Sequence, residues 1–223
     1  MAVSDNSGIV SPDDPGAERP TFLRLLAMLA VGGCVVFAVS VLIADFVVPN
    51  HDWVADTISD LGAGRYEFIV DIGIYAYSCA LIACAVGASH SHMGGRGWSF
   101  GIFGLIFMGL IVFLVGARNE YGDGDNEGVV IHSQLVWALG LLFAAVPWAM
   151  SYGAEACSVT LKWIFRGVAI LWVPLAPAFM LVVPDTWDGI YERGLGLLTF
   201  IFVCAMAWLL VGRAAAVEAA RDG

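Results

Sequence analysis

The chain of 223 residues is 60% apolar and only 13% charged, and its mean hydropathy is +0.83. Soluble domains average about 45–50% apolar and about 25% charged residues, so this composition excludes an ordinary water-soluble globule and a disordered chain. The 20 acidic residues outnumber the 10 basic residues, which gives a net charge of −10. Because nucleic-acid binding needs clustered Lys and Arg, the charge balance also excludes nucleic acid as a partner.

Six apolar segments are long enough to cross a bilayer. A transmembrane helix needs about 20 predominantly apolar residues, and no segment shows the period-two alternation of a barrel strand. The sequence therefore predicts an all-α fold, an integral membrane bundle of six transmembrane helices. The predicted spans are residues 22–44, 68–89, 98–117, 129–150, 161–183 and 194–212. We expect a polar acidic tail over residues 1–21, a transmembrane domain over 22–212 and a short tail over 213–223.

The basic residues predict the orientation of these helices, because cytoplasmic loops carry an excess of Lys and Arg. Seven of the 10 basic residues lie on the side of the N-terminus, the second and fourth loops and the C-terminus. Arg65, Arg118 and Arg193 lie on the opposite side. We therefore expect both termini in the cytoplasm of a multi-pass protein of the cell membrane. With this orientation the excess of acidic residues belongs to the outer loops.

Two acidic side chains at the start of the second predicted span are candidate functional residues. Glu67 and Asp71 are four residues apart and share one helix face. Acids arranged in this way repel each other unless a cation, an arginine or a shared proton lies between them. Two interpretations stay open: an ion pair with Arg65, Arg118 or Arg193 that locks the helix ends, and a binding or proton-handling site.

His132 opens the fourth predicted span on the outer side. A histidine at a helix start either caps the helix or serves as a metal ligand or general base. If His132 faces Asp60 or Asp71, the three residues are candidate catalytic groups and candidate ligands of a divalent cation, with Ser59 or Ser133 nearby. A haem is not expected, because no second span supplies a histidine at matching depth.

Prolines and glycines mark two further features of the spans. Pro147, Pro174 and Pro177 fall inside the fourth and fifth spans, where each removes a backbone hydrogen bond and favours a kink. The pair in the fifth span either shapes a cavity or hinge or serves packing alone. Gly97 and Gly101 form one GxxxG motif at the start of the third span, which is a known helix-packing pattern but arises easily by chance in a chain with 26 glycines.

Three motifs at helix entrances carry a resemblance to a known family. They are ISDLG at residues 58–62 with Tyr66 and Glu67 after it, IHS at 131–133, and GIYER at 189–193. These motifs resemble those of the domain of unknown function 998 family, prokaryotic membrane proteins of about six helices, over residues 22–212. The resemblance implies the six-helix fold and the motif residues on the outer side, without a reaction. The chain is also distantly similar to the eukaryotic six-helix family of autophagy modulators and a GPI-lipid remodelling factor.

The polar residues on the outer side form one candidate site, which consists of Ser59, Asp60, Glu67, Asp71, Arg118, His132, Glu192 and Arg193. The sequence favours a non-enzymatic membrane protein whose site binds a lipid head group or other ligand, or braces the bundle. We expect membrane lipid as the partner, and a homo-oligomer or a membrane-protein partner stays open.

Two alternative functions remain from the same residues. The first is a membrane-embedded hydrolase or lipid-modifying enzyme, in which His132 with Asp60 or Asp71 holds a metal ion or activates water. The second is a small cation-coupled transporter that uses Glu67 and Asp71. Transport is disfavoured because no span has an acidic residue near its centre and no pair of broken helices is evident.

Overall fold

The computed structural model describes residues 18–62, 64–91, 93–117 and 131–222. Over these ranges the chain forms helices joined by turns and irregular loops, and six helices are long and apolar enough to cross a membrane. The predicted six-helix architecture is confirmed. The helices are α1 (Pro20–Val47), the short α2 (Ile58–Leu61), α3 (Glu67–His90), α4 (Arg96–Ala117), α5 (His132–Ala154), α6 (Val159–Leu181) and α7 (Asp188–Asp222).

The six long helices form a closed ring. In order around the ring, α1 packs against α3, α3 against α4, α4 against α5, α5 against α6, α6 against α7, and α7 against α1. The start of α1 and the end of α7 lie together, because Arg24 forms an ion pair of 2.5 Å with Glu218. We call this the Arg213 end of the ring. The opposite end, where α3, α5 and α7 begin, is the His132 end.

Small residues allow the closest helix contacts in the ring. A Cβ atom added at Gly33 of α1 would overlap the Ala76 carbonyl oxygen and lie 2.7 Å from the Ala80 Cβ atom of α3. A Cβ atom added at Gly97 of α4 would lie 2.6 Å from the Ala149 carbonyl oxygen of α5. Glycine at these positions therefore brings the backbones together, as expected of small-residue packing in membranes. The GxxxG motif of the sequence marks the α4–α5 contact.

The ring is tightly packed at the Arg213 end and open at the His132 end. The buried residues of α5 begin only at Phe143, eleven positions after the helix starts. The buried residues of α6, which runs in the opposite direction, end at Trp172. Both buried portions therefore lie towards the Arg213 end. Pro174 and Pro177 fall just beyond Trp172, so α6 also lacks two backbone hydrogen bonds in its open portion.

The last helix continues past its membrane span. Residues 213–222, expected as a short tail, form the final turns of α7, and alanine, the strongest helix former, supplies half of this segment. Arg213 holds the buried Glu18 through bonds of 2.6 and 2.9 Å. Arg221 donates to the Glu18 backbone oxygen at 2.7 Å. These contacts fasten the end of α7 to the segment that precedes α1.

Candidate functional site

An ion-pair cluster at the His132 end holds the loop after α1 against the start of α7. Arg193 pairs with Asp45 at 2.5 Å, and both side chains are largely buried. The other terminal nitrogen of Arg193 donates to the backbone oxygens of Asp56 at 3.0 Å and Gly189 at 2.9 Å. The His51 ring, only 3% exposed, lies 3.1 Å from Asp45 and 3.5 Å from Asp56. Arg193 therefore connects the end of α1 and the loop after it to the start of α7.

Backbone hydrogen bonds add to this connection. The Gly189 nitrogen donates to the Ala55 oxygen at 3.1 Å, and the Ile190 nitrogen donates to the Val54 oxygen at 3.1 Å. The first N–H groups of a helix have no partner within the helix, so the loop satisfies two such groups of α7. Gly189 is required here, because a Cβ atom at this position would lie 2.8 Å from the Trp53 carbonyl oxygen.

The N-terminus of the short helix α2 is capped both from within the loop and from α7. Thr57 and Asp60 form a capping box, in which the Asp60 carboxylate accepts from the Thr57 nitrogen at 2.7 Å and the Thr57 hydroxyl accepts from the Asp60 nitrogen at 3.1 Å. The Glu192 carboxylate of α7 accepts from the Ile58 nitrogen at 2.6 Å. Negative charge is favourable at a helix N-terminus. Glu192 is thereby fixed between α7 and α2.

A cavity of about 380 Å³ lies inside the ring at the His132 end. Its volume is within the range of small-molecule sites, and its wall is mainly apolar and aromatic. Ser59, His132 and Glu192 bring polar groups to its end. Thr199 lies seven residues after Glu192 on α7, about 10 Å deeper along the helix axis. The wall also includes Phe37, Tyr77, Val112, Phe143, Trp172, Ala176, Phe179 and Leu195.

The cavity reaches the outer surface of the ring between α5 and α6. Leu141 of α5 and Val173 of α6 line the cavity, yet they are 71% and 58% exposed. Residues that border an enclosed cavity would not be exposed to this extent. In a membrane this opening faces the acyl chains of lipids.

The buried Tyr77 hydroxyl of the cavity wall lies beside the Thr199 hydroxyl, but within the described residues it makes no hydrogen bond of ordinary geometry. The Thr199 hydroxyl instead donates to the Gly196 oxygen at 2.7 Å. Buried hydroxyls without a partner are uncommon in proteins. The middle of the wall is therefore less apolar than its aromatic side chains suggest.

The structure brings three of the predicted site residues together, because Ser59, His132 and Glu192 all border the cavity. Two others have structural contacts close by. Arg193 belongs to the ion-pair cluster, and the carboxylate of Asp60 takes part in the cap of α2. The predicted outer site is thus divided into a cavity entrance and a brace.

Glu67 and Asp71 lie near the start of α3, but neither borders the cavity. Both carboxylates are near Tyr75, whose hydroxyl donates to the Gly116 oxygen of α4 at 3.0 Å. Arg118, one of the three predicted partners, belongs to the loop after α4 and lies outside the described residues. Over the ranges that the structure describes, no three His, Cys, Asp or Glu side chains form a group that could hold a metal ion. The proposed metal set of His132, Asp60 and Asp71 remains a prediction.

The sequence did not identify three members of the ion-pair cluster, Asp45, His51 and Asp56, as site residues. Asp45 and Arg193 are 148 positions apart, and no local pattern links residues at such a distance. His51 was partly indicated by the sequence, because this histidine lies between acidic residues in the loop after the first span. That pattern indicates a polar contact without naming its partner.

Comparison with known proteins agrees with the motifs at the helix entrances. A family described as proteins of unknown function, DUF998, matches residues 31–209. The chain belongs to the DUF998 family. The matched region includes every residue of the cavity wall. Comparisons of this DUF998 protein with curated proteins and with solved structures give no match. Family membership thus agrees with a multi-pass membrane protein and leaves its function open.

Proposed function

We propose that this DUF998 protein is a non-enzymatic binding protein of the cell membrane that holds an amphipathic, lipid-like molecule inside its ring of helices. The observation that carries the proposal is the cavity of about 380 Å³, which has apolar walls and three polar residues at one end. This distribution suits a ligand with an apolar tail and a polar head. The tail would lie among the aromatic side chains, and the head would meet Ser59, His132 and Glu192.

The charges at the cavity entrance indicate the chemistry of the head group. Asp60 lies close enough to act electrostatically on both Glu192 and Asp188, so the described charged side chains nearest the entrance are carboxyl groups. The positive charge of Arg193 is already paired with Asp45. Acidic side chains accept hydrogen bonds and repel phosphate. The entrance therefore favours a hydroxyl or amine head group over a phosphate.

The opening between α5 and α6 supplies a route for such a ligand. An apolar chain can enter sideways from the bilayer past Leu141 and Val173, both of which border the cavity. With the orientation that the basic residues predict, the polar entrance lies at the level of the outer leaflet. The favoured ligand is therefore a single-chain or otherwise slender lipid of that leaflet.

Filling the cavity is expected to remove the bound lipid. Gly196 borders the cavity, and a Cβ atom at this position meets no atom within 4 Å. A Gly196→Phe substitution therefore places a ring in the cavity without a clash at its first atom. We expect the purified variant to carry about tenfold less co-purifying lipid than the parent protein, as a blocked pocket should. Solvent extraction of the purified proteins followed by mass spectrometry measures this amount.

Gly194→Phe is the matched control. Gly194 lies two residues earlier on the same helix, is exposed, and also has no atom within 4 Å of an added Cβ atom, but it does not border the cavity. We expect this variant to retain the lipid of the parent protein. Equal lipid content in all three proteins, or no specific lipid in the parent, would refute the proposal.

The same cavity entrance favours a second candidate function, ester hydrolysis. A serine, a histidine and a carboxylate border one cavity, and these are the residue types of acyl-transfer sites. In a hydrolase, His132→Ala would abolish fatty-acid release from a monoacylglycerol while binding persists, because the base would be lost and the cavity kept. Equal release by the parent protein and His132→Ala would exclude this function.

A further inference from the structure

Arg166 lies among aromatic side chains on the surface of α5 and α6, towards the Arg213 end. Its guanidinium carbon is 5.3 Å from the ring centre of Trp148, 5.0 Å from that of Tyr152 and 5.6 Å from that of Trp163. The three aromatic residues are 43%, 58% and 59% exposed. They belong to the outer surface of the ring, which meets lipid in a membrane.

The guanidinium keeps most of its hydrogen-bond donors available. Its Nε atom donates to the Ser151 hydroxyl at 3.2 Å, and within the described part of the chain the two terminal nitrogens have no protein partner. The two terminal nitrogens are accessible, because a buried Arg166 nitrogen without a hydrogen-bond partner does not occur in the part of the chain that the structure describes. The neighbouring Lys162 is paired with Glu155 at 2.6 Å. Among the described residues, Arg166 therefore has no acidic partner for its charge on this surface.

The side chain of Arg166 can reach the head-group region of a bilayer. Arg166 lies seven residues after the start of the helix, about 10 Å along its axis. Its side chain contacts Ser151 and Tyr152 near the end of α5, so it extends back towards the Arg213 end. Long basic side chains near helix ends extend in this way to reach the interface, where Trp and Tyr are also enriched.

We propose that Arg166, Trp148, Tyr152 and Trp163 form a binding site for the phosphodiester of an anionic phospholipid. The rings attract the guanidinium through cation–π contacts, and its two terminal nitrogens carry the donors for two oxygens of one phosphate. The exposed parts of the rings contact the glycerol and the first acyl carbons. This site lies at the opposite end of the ring from the cavity and does not depend on the function proposed for the cavity.

The charge around the site selects an anionic lipid over a zwitterionic one. Over the described residues around the site, the net charge is positive once the pairing of Lys162 with Glu155 is counted. The Arg213 end is also the end predicted to face the cytoplasm, and the cytoplasmic leaflet holds the anionic lipids. A free phosphate would gain nothing from the exposed rings, whereas a lipid covers them.

Native mass spectrometry of the full-length protein, titrated with phosphatidylglycerol, tests the site. We expect Arg166→Gln to raise the dissociation constant of the first bound lipid about tenfold, because two charge-assisted bonds are lost. We expect Arg166→Lys to raise it about threefold, since charge is kept and the bidentate geometry is lost. Arg96→Gln is the matched control. It removes an exposed charge at the same end, and we expect a change below about twofold.

Several results would overturn the proposal. One is equal phosphatidylglycerol affinity in the parent protein and Arg166→Gln, and another is an equal loss in Arg166→Gln and Arg96→Gln. Equally tight binding of phosphatidylcholine or of inorganic phosphate alone would exclude an anionic lipid as the specific ligand. If the parent protein is a dimer that Arg166→Gln dissociates, the partner is a second copy of the chain.

A second variant guards against misfolding. If Arg166→Gln lowers the melting temperature, Trp163→Leu replaces an exposed ring and leaves every charge in place. We expect this variant to weaken phosphatidylglycerol binding about threefold, because the Trp163 ring loses its cation–π contacts with Arg166 at 5.6 Å and with Lys162 at 5.9 Å. Unchanged affinity in Trp163→Leu would contradict the proposed role of the rings.

Discussion

Arg193→Ala is expected to lower the free energy of unfolding by about 3 kcal/mol, the lower end of the cost of breaking a buried pair, because the largely buried Asp45 loses its arginine and is left with the His51 ring at 3.1 Å. The backbone oxygens of Asp56 and Gly189 lose their donor at the same time. Thermal or denaturant unfolding of the purified protein in detergent measures the difference. We expect a markedly lower melting temperature and earlier detachment of the loop after α1.

The control for this experiment is Arg65→Ala, which removes an exposed arginine at the same end. Among the described residues the contact of Arg65 is with the Tyr66 ring at 5.7 Å, so we expect a change within about 0.5 kcal/mol. Removing both charges, with Asp45→Asn and Arg193→Met together, should recover part of the lost stability, since no unpaired charge remains. If Arg193→Ala is no less stable than Arg65→Ala, the ion pair does not brace the fold.

Gly33→Ala is expected to destabilise the protein by about 1–3 kcal/mol. The added methyl group would overlap the Ala76 carbonyl oxygen and the Ala80 side chain, so α1 and α3 would have to separate. The adjacent Gly32→Ala is the control, because a Cβ atom there meets nothing within 4 Å. Since alanine is the better helix former by about 1 kcal/mol, we expect Gly32→Ala to be neutral or stabilising in the same unfolding measurement.

A second substitution connects the loss in Gly33→Ala to the helix contact. Ala80→Gly should cost less stability in the Gly33→Ala protein than in the parent protein, because in the former it also removes one of the two contacts of the added methyl group and leaves the Ala76 oxygen in place. Equal stability of Gly32→Ala and Gly33→Ala would show that α1 and α3 are not in backbone contact at this position.

The helices were predictable because hydropathy alone reports transmembrane spans. The sequence placed each of the six long helices, and the largest difference lies in α7, which continues to Asp222. The span criterion stops at residue 212, since the next residues are alanine and charged side chains. Their helical propensity predicts helix just as well, but it plays no part in a hydropathy criterion. The capping role of Asp60 was also readable from the sequence, three residues after Thr57.

The candidate site was only partly predictable, for a geometric reason. Ser59, His132 and Glu192 stand out as polar residues at helix entrances, and they do border one cavity. Which portions of α5 and α6 leave the ring open is not encoded in a local pattern, because these helices are apolar on all sides. The cavity-facing and lipid-facing residues then look alike. The partner of Arg193 was equally hidden, since Asp45 belongs to the other end of the chain.

Because the ring is unevenly packed, its parts differ in the free energy that local opening requires. Segments with few buried contacts open at lower free energies than the core does. The portions of α5 before Phe143 and of α6 after Trp172 are such segments, and Pro174 and Pro177 leave α6 with fewer backbone bonds there. Transient separation of these two segments would break the hydrogen bond from the Trp172 indole to the Gly140 oxygen and widen the gap beside Leu141 and Val173, while α1, α3 and α7 stay folded. If the cavity holds a lipid as proposed, that lipid would exchange with the bilayer through brief local fluctuations, with no global rearrangement.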